Sequence, residues 1–317
     1  MRELGKTRIE EMVPHVPCGR CLYCRIRRRS EWKLRLMMEH DYCGSSRFIT
    51  LTYNDENIRK VFTNDKQQTI ETLRKKDLQL FQKRVRKYLG SKAVRFYSVG
   101  EYGDTTQRPH FHSIVFFRDN LHVNDMVILD QAWTTGEGKP IGHLFGTIDY
   151  KGDEEPGEVT PESIQYVAGY IDKKIYGEKS DDHYQGRVPE FNICSQGIGK
   201  QWLYDNFNSV VSNGYIMYKG RSYPVPRYFD KKIREEVSPK RLEVYLRKKR
   251  LARISRMADY DNDLLNELYE RHPDYFSDVS TPDLNTPRHK MKLQNAEQMD
   301  LNLKSQIKLK LEKRKKI

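Results

Sequence analysis

The chain has 317 residues, 37% hydrophobic and 32% charged, and its 57 Lys and Arg against 44 Asp and Glu leave a net charge of +13. That length holds one to three domains at roughly 100–200 residues each, and the positive excess points to a phosphate-rich partner: nucleic acid first, an anionic membrane surface second. No apolar run approaches the roughly 18 residues of a membrane span, and five cysteines, three of them within seven residues, argue for a reducing cytosol rather than a secreted disulfide scaffold.

Residues 1–46 form a Cys- and Arg-rich segment. Its start, Met1 to Lys6, lacks the apolar core of a signal peptide. Cys18, Cys21 and Cys24 stand two residues apart, followed by Arg25, Arg27, Arg28 and Arg29. Three thiols so spaced suit a structural Zn2+, with Cys43, His15 or His40 as candidate fourth ligand. A helix is expected over about 26–39, broken by Cys43-Gly44-Ser45-Ser46.

Residues 47–180 read as βαββαβ. Phe48 to Tyr53 is β-branched and aromatic, a strand. Asp77 is placed as the cap of a helix that carries Leu78, Phe81 and Val85 on one face and ends at Gly90. Strands are expected over 94–101 and 110–117, joined by a connection short enough for an antiparallel hairpin. A helix over 124–133, a strand over 143–150 and an acidic loop over 152–157 follow. Thr160 as N-cap and Pro161 at the first helical position open a helix expected to reach Gly177. Residues 181–317 form a basic C-terminal region. It comprises a stretch to Gly199 that is mostly loop, a hairpin around Lys219-Gly220-Arg221, a basic helix over 240–256 and a Lys-rich tail.

Two constellations carry chemistry. On a strand His110 and His112 point the same way, about 6.5–7 Å apart, and Glu101 ends the preceding strand across the hairpin. A carboxylate and two imidazoles on one face make a three-ligand set with positions left open, suited to Mg2+ or Mn2+ with phosphate oxygens completing the shell. On the later helix Ile164, Val167, Ala168 and Ile171 form the core stripe, while Tyr166 and Tyr170 fall one turn apart on the opposite side with Lys173 beyond. A phenol is a poor nucleophile at neutral pH, and a neighbouring ammonium or a metal-polarised phosphate helps it attack.

Phe48 to Tyr53 resembles the first motif of the HUH endonucleases, His110-Phe111-His112 their metal motif, and Tyr166-Val167-Ala168-Gly169-Tyr170 with Lys173 and Lys174 the third motif of their two-tyrosine branch. With Pro17-Cys18-Gly19-Arg20-Cys21 and Cys24, the whole chain is similar to the replication initiation proteins of microviruses, gokushovirus type. The resemblance implies an α+β fold, a central antiparallel sheet flanked by helices with the tyrosine helix across the metal site. It implies an enzyme that nicks single-stranded origin DNA, forms a 5′-phosphotyrosine link, starts rolling-circle replication and rejoins the product. In that role His110, His112 and Glu101 hold the metal, Tyr166 and Tyr170 attack with Lys173 assisting, and Arg25, Arg27, Arg28, Arg29, Arg108 and Lys174 contact DNA. The expected setting is the host bacterial cytoplasm, with host helicase and polymerase as partners and no membrane.

Rivals fit less. A two-histidine phosphoesterase needs a second H-x-[ST] motif, and His122 and His143 do not supply one. A single-tyrosine transposase or plasmid initiator leaves one tyrosine unexplained. A non-catalytic zinc-bearing single-strand-binding protein explains charge, aromatics and Cys but not Glu101, His110, His112 and the tyrosine pair together.

Overall fold

The computed structural model describes residues 22–90, 94–120, 123–146, 157, 159–170 and 179–252. Helix α1 (Leu22–Asp41) begins earlier than its apolar stripe indicates, so Cys24 lies within it. Strand β1 (Ser45–Thr52) follows, then a ribbon of β2 (Arg59–Phe62) and β3 (Thr69–Thr72), then α2 (Lys75–Leu89). Asp77 does not cap α2. The N-cap position is Arg74, and Asp77, in the first turn, is buried where it accepts a hydrogen bond from Tyr53 Oη at 3.0 Å and pairs with Arg59 and Arg74. Gly90 ends the helix at φ 85°, a conformation an L side chain resists.

The hairpin of β4 (Val94–Tyr102) and β5 (Pro109–Phe117) is antiparallel and pairs Glu101 directly with His110. Helix α3 (Val123–Ala132), β6 (Leu144–Phe145) and α4 (Pro161–Gly169) come next. The Thr160 cap on α4 is present as a capping box closed by Ser163. The segment before Gly199 is more ordered than its polar composition indicates: it holds α5 (Lys179–Tyr184) and β7 (Phe191–Cys194). Strand β7 pairs with β4 and completes a five-stranded sheet ordered β6-β1-β5-β4-β7, antiparallel in every pair. Gly100 makes room for it, since a Cβ there would meet the Phe191 ring at 3.1 Å and Phe111 at 3.2 Å. Helices α6 (Lys200–Asp205), α7 (Phe207–Asn213) and α8 (Arg227–Glu236) and a hairpin of β8 (Ile216–Tyr218) and β9 (Arg221–Tyr223) follow, and residues 239–252 are helical.

Two compact units result. One comprises Met1–Val210 with Val225–Val237; the other comprises Val211–Pro224 with Ser238–Ile317. In the first, period-two alternation sorts the sheet into two buried faces. Ile49, Leu51, Phe96, Phe111 and Val115 pack against Leu78, Phe81 and Val85 of α2 and against Leu129 and Trp133. Tyr97, Val99, Ile114 and Phe116 pack on the other face against Leu36 of α1 and Ile164, Val167 and Ala168 of α4. The fold is therefore α+β, a central antiparallel sheet flanked by helices. In the second unit the helical stretch 239–252 buries Tyr245 and leaves Lys240, Arg241, Arg247, Lys248 and Arg250 exposed. No described helix is long and apolar enough to cross a membrane.

Candidate metal and tyrosine centre

The second sheet face changes character along its strands. Phe116 and Ile114 are apolar, and the next residues of β5 on that side are His112 and His110. On β4 the same succession runs Tyr97, Val99, Glu101. The polar end of the face thus collects one carboxylate and two imidazoles. Glu101 Oε1 lies 2.8 Å from His110 Nε2 and 3.0 Å from His112 Nε2. The donor atoms of the three residues all fall within 4.8 Å of one another, the one such cluster of metal-type ligands among the described residues. Glu101 is 3% exposed and His112 8%.

The remaining ring nitrogens are held from behind. His110 Nδ1 lies 3.1 Å from the Arg108 carbonyl, which can only accept, so Nδ1 carries the proton and the neutral ring presents a lone pair at Nε2. His112 Nδ1 is 2.9 Å from the Thr50 hydroxyl. Backing of this kind fixes ring orientation at metal centres. An Nε2 lone pair aimed at a carboxylate oxygen is repulsive unless a proton or cation lies between them. The donor set therefore fits a divalent cation.

Helix α4 delivers the tyrosines to this end of the face. The Tyr170 ring stacks on His112 with centroids 5.5 Å apart and planes 14° apart. Tyr166 meets the same imidazole edge-on at 5.6 Å, and the two phenol rings are 4.8 Å apart. Phe48 stacks on His112 from another side at 5.5 Å. Tyr166 is 53% exposed, as a polar-face residue should be. Tyr170 is not. It is 4% exposed and belongs to the cluster built by Ile164, Val167 and Ala168. The i, i+4 spacing places both rings toward the sheet, and Tyr170, at the C-cap of α4, lies deeper. Burial, followed by the Glu101 charge and the bond to Tyr166, pushes its phenol pKa well above the usual range.

Lys173, Lys174, Cys18 and Cys21 lie outside the described residues. Cys43 does not join Cys24 at one metal. Residues 24–41 run between them along α1, roughly 26 Å at about 1.5 Å per residue. Cys43 instead donates to the His40 carbonyl and packs against the second-face core, where burial and then the Glu39 charge push its thiol up to about 11. His40, at the same end of α1, bonds Ser46 and is equally remote from Cys24. Of the α1 arginines, Arg27 pairs with Glu31, and Arg29 passes 3.9 Å from the Cβ position of Gly169, beside the tyrosines. Arg108 binds the Tyr53 carbonyl and Asp55 through Nη2, so its visible service to the site is through its own carbonyl. Thr50 and Phe48 escape a motif reading. The signal for them is the β1–β5 register, which pairs Thr50 with His112.

A family model for the replication-associated protein ORF2 matches residues 46–175, the span holding the sheet, the ligand cluster and both tyrosines. A solved structure, the N-terminal nuclease domain of minute virus of mice non-structural protein 1, aligns over 55% of this chain and 81% of that one. Its identity of 11% and TM-score of 0.21 are too low to carry an argument. Replication-associated protein ORF2 of Spiroplasma virus 4 is 31% identical over 254 residues, 74% of this chain and 72% of that one. Replication-associated protein VP4 of Bdellovibrio phage phiMH2K is 31% identical over 266 residues, 79% of this chain and 78% of that one. With nearly a third of its positions shared with VP4 across more than three quarters of both chains, this chain belongs to the family of phage replication-associated proteins.

Proposed function

We propose that the protein nicks single-stranded origin DNA, stays linked to the 5′ end through a tyrosine, and so starts rolling-circle replication and later rejoins the product strand. The observation that carries this reading is the convergence of two phenol rings on His112, itself one of three clustered metal-type ligands. Family membership supports a part in phage DNA replication.

Glu101, His110 and His112 would hold Mg2+ or Mn2+, and an ion bound there draws electron density from the scissile phosphate. The Arg108 carbonyl and the Thr50 hydroxyl keep the imidazoles turned toward that position. The Tyr166 phenol loses its proton and its oxygen bonds to phosphorus. The bond from phosphorus to the 3′ oxygen breaks, and that oxygen takes up a proton. A free 3′-OH results, ready for a host polymerase, and the ester retains the energy of the broken bond for rejoining. Tyr170 then cuts the regenerated origin while Tyr166 is still esterified.

On sequence grounds we assign Lys173 to stabilising the phenolate. Lys174, Arg25, Arg27, Arg28 and Arg29 contact phosphates, and Cys18, Cys21 and Cys24 hold a structural Zn2+. We assign nicking to residues 47–180, fixed DNA contacts to residues 1–46, and further DNA or host-helicase binding to the basic residues 181–317, in the host bacterial cytoplasm. The test is a labelled single-stranded origin oligonucleotide, Mn2+ and a denaturing gel. A covalent adduct should form and survive detergent, which strips a mere binder. His110→Ala or His112→Ala should abolish the adduct and spare single-strand binding. Normal adduct formation by either variant in EDTA refutes the metal role.

A further inference from the structure

Strand β6 contains two residues, yet its register continues the active face outward. Thr50 pairs with His112 on one side and with Phe145 on the other. Directly paired residues of antiparallel strands project on the same side of a sheet. Val99, His112, Thr50 and Phe145 therefore form one row across four strands. The next row is Glu101, His110, Thr52 and His143, since the His143 carbonyl accepts both the Thr52 N–H at 2.9 Å and its hydroxyl at 3.3 Å. The face that begins with the ligand cluster thus continues over two threonine hydroxyls and ends on a histidine and a phenylalanine, rings 6.2 Å apart.

Phe145 is 57% exposed, against 0% for Phe111 and 2% for Phe116 in the same sheet. An aromatic ring left in water on an edge strand has no packing role to explain it. Its Cα is two strand spacings, roughly 9–10 Å, from the strand that bears the histidines. A phosphate at His112 and Tyr166 therefore sets the neighbouring sugar over Thr50 and Thr52 and the neighbouring base at the Phe145 ring. Single-strand binders use this pairing of polar floor and aromatic platform.

We infer that Phe145, flanked by His143, is the stacking platform for the base of a nucleotide adjoining the scissile phosphate, which makes edge strand β6 part of the single-stranded DNA site. The inference rests on the nicking reading for the position of the phosphate. Its test uses the full chain and a short oligothymidylate in EDTA, so that no cleavage intervenes, with affinity read by fluorescence anisotropy. Phe145→Ala should bind about tenfold more weakly, the effect of one lost base–aromatic stack, and Phe145→Trp should restore binding. With 5-iododeoxyuridine in the strand, illumination should attach DNA to the peptide containing Phe145. Equal affinity of Phe145→Ala and the native chain, no measurable binding by the native chain, or photoproducts confined to other peptides overturns the platform. A Phe145-dependent affinity in a protein that forms no adduct with Mn2+ refutes nicking and leaves the stacking surface standing. Adduct formation with Phe145-independent affinity refutes the platform alone.

Discussion

The two tyrosines sit against one imidazole but not in one environment, and that difference sets an order of use. Tyr166 is 53% exposed and can meet a phosphate as it stands; Tyr170, at 4%, must first be uncovered. Exposing a buried aromatic side chain costs about 1.5–3 kcal/mol. At 1.36 kcal/mol per factor of ten this slows attack roughly tenfold to 150-fold. The raised phenol pKa of Tyr170 acts in the same direction, because less phenolate is present at neutral pH. Tyr170→Phe should therefore form the first adduct at nearly the native rate, while Tyr166→Phe should form it at roughly 1–10% of that rate through Tyr170. Neither should sustain repeated rounds, and the double variant should form no adduct. The assay is single-turnover adduct formation on a denaturing gel with Mn2+, beside a multi-round replication assay. Fast adduct formation by Tyr166→Phe with loss in Tyr170→Phe refutes the argument from burial.

Thr50→Val removes the hydroxyl behind His112 and should weaken Mn2+ binding, read by calorimetry, by about 10–100-fold, whereas Thr50→Ser should restore it. Phe111→Ala should lower stability by about 3–5 kcal/mol in urea, because its fully buried ring packs on Tyr53, Trp133 and Phe191; a loss below about 1 kcal/mol contradicts that packing. The Cys43 thiol, pushed up to about 11, should resist iodoacetamide at neutral pH. Its folded pKa lies above the unfolded value, so its contribution to stability is present below the ordinary thiol range and lost as pH rises toward 11, a loss that Cys43→Ala should remove from the alkaline unfolding profile. Zinc measured in protein purified without chelator should disappear on Cys21→Ser and persist on Cys43→Ser, since Cys43 is at the far end of α1.

Much of the fold is written in local signals. The hairpin is legible because nine residues separate Glu101 from His110 around a turn-rich connection, and the observed register pairs them. Thr160-Pro161 marks the start of α4 because both residues act within one helical turn. Asp77 misleads for the same local reason. An acid in the first turn suits a helix N-terminus whether or not it is the cap, and only the tertiary partner Tyr53 shows that this one is buried. Strands β2, β3 and β7 have four residues each, too few for a period to declare itself; β7 exists because Phe191 and Ile193 can pack on a sheet edge that Gly100 leaves open.

The site follows the same division. Spacing along one strand identifies His110 and His112, and spacing along one helix identifies Tyr166 and Tyr170, because those pairs are related by a single element's own geometry. The residues that tune them come from elsewhere. Thr50 reaches His112 through strand pairing, and the Arg108 carbonyl reaches His110 as the chain enters β5. A helical projection puts the two tyrosines on one side but says nothing of what lies on that side. Here it is the sheet, and the later residue of the pair falls nearer the apolar end of its face, against Ile164, Val167 and Val99. Two residues of the same type, one turn apart, thereby acquire different solvent access and different acidity. That inequality, invisible in the motif, separates a first nucleophile from a second without any change in their chemistry.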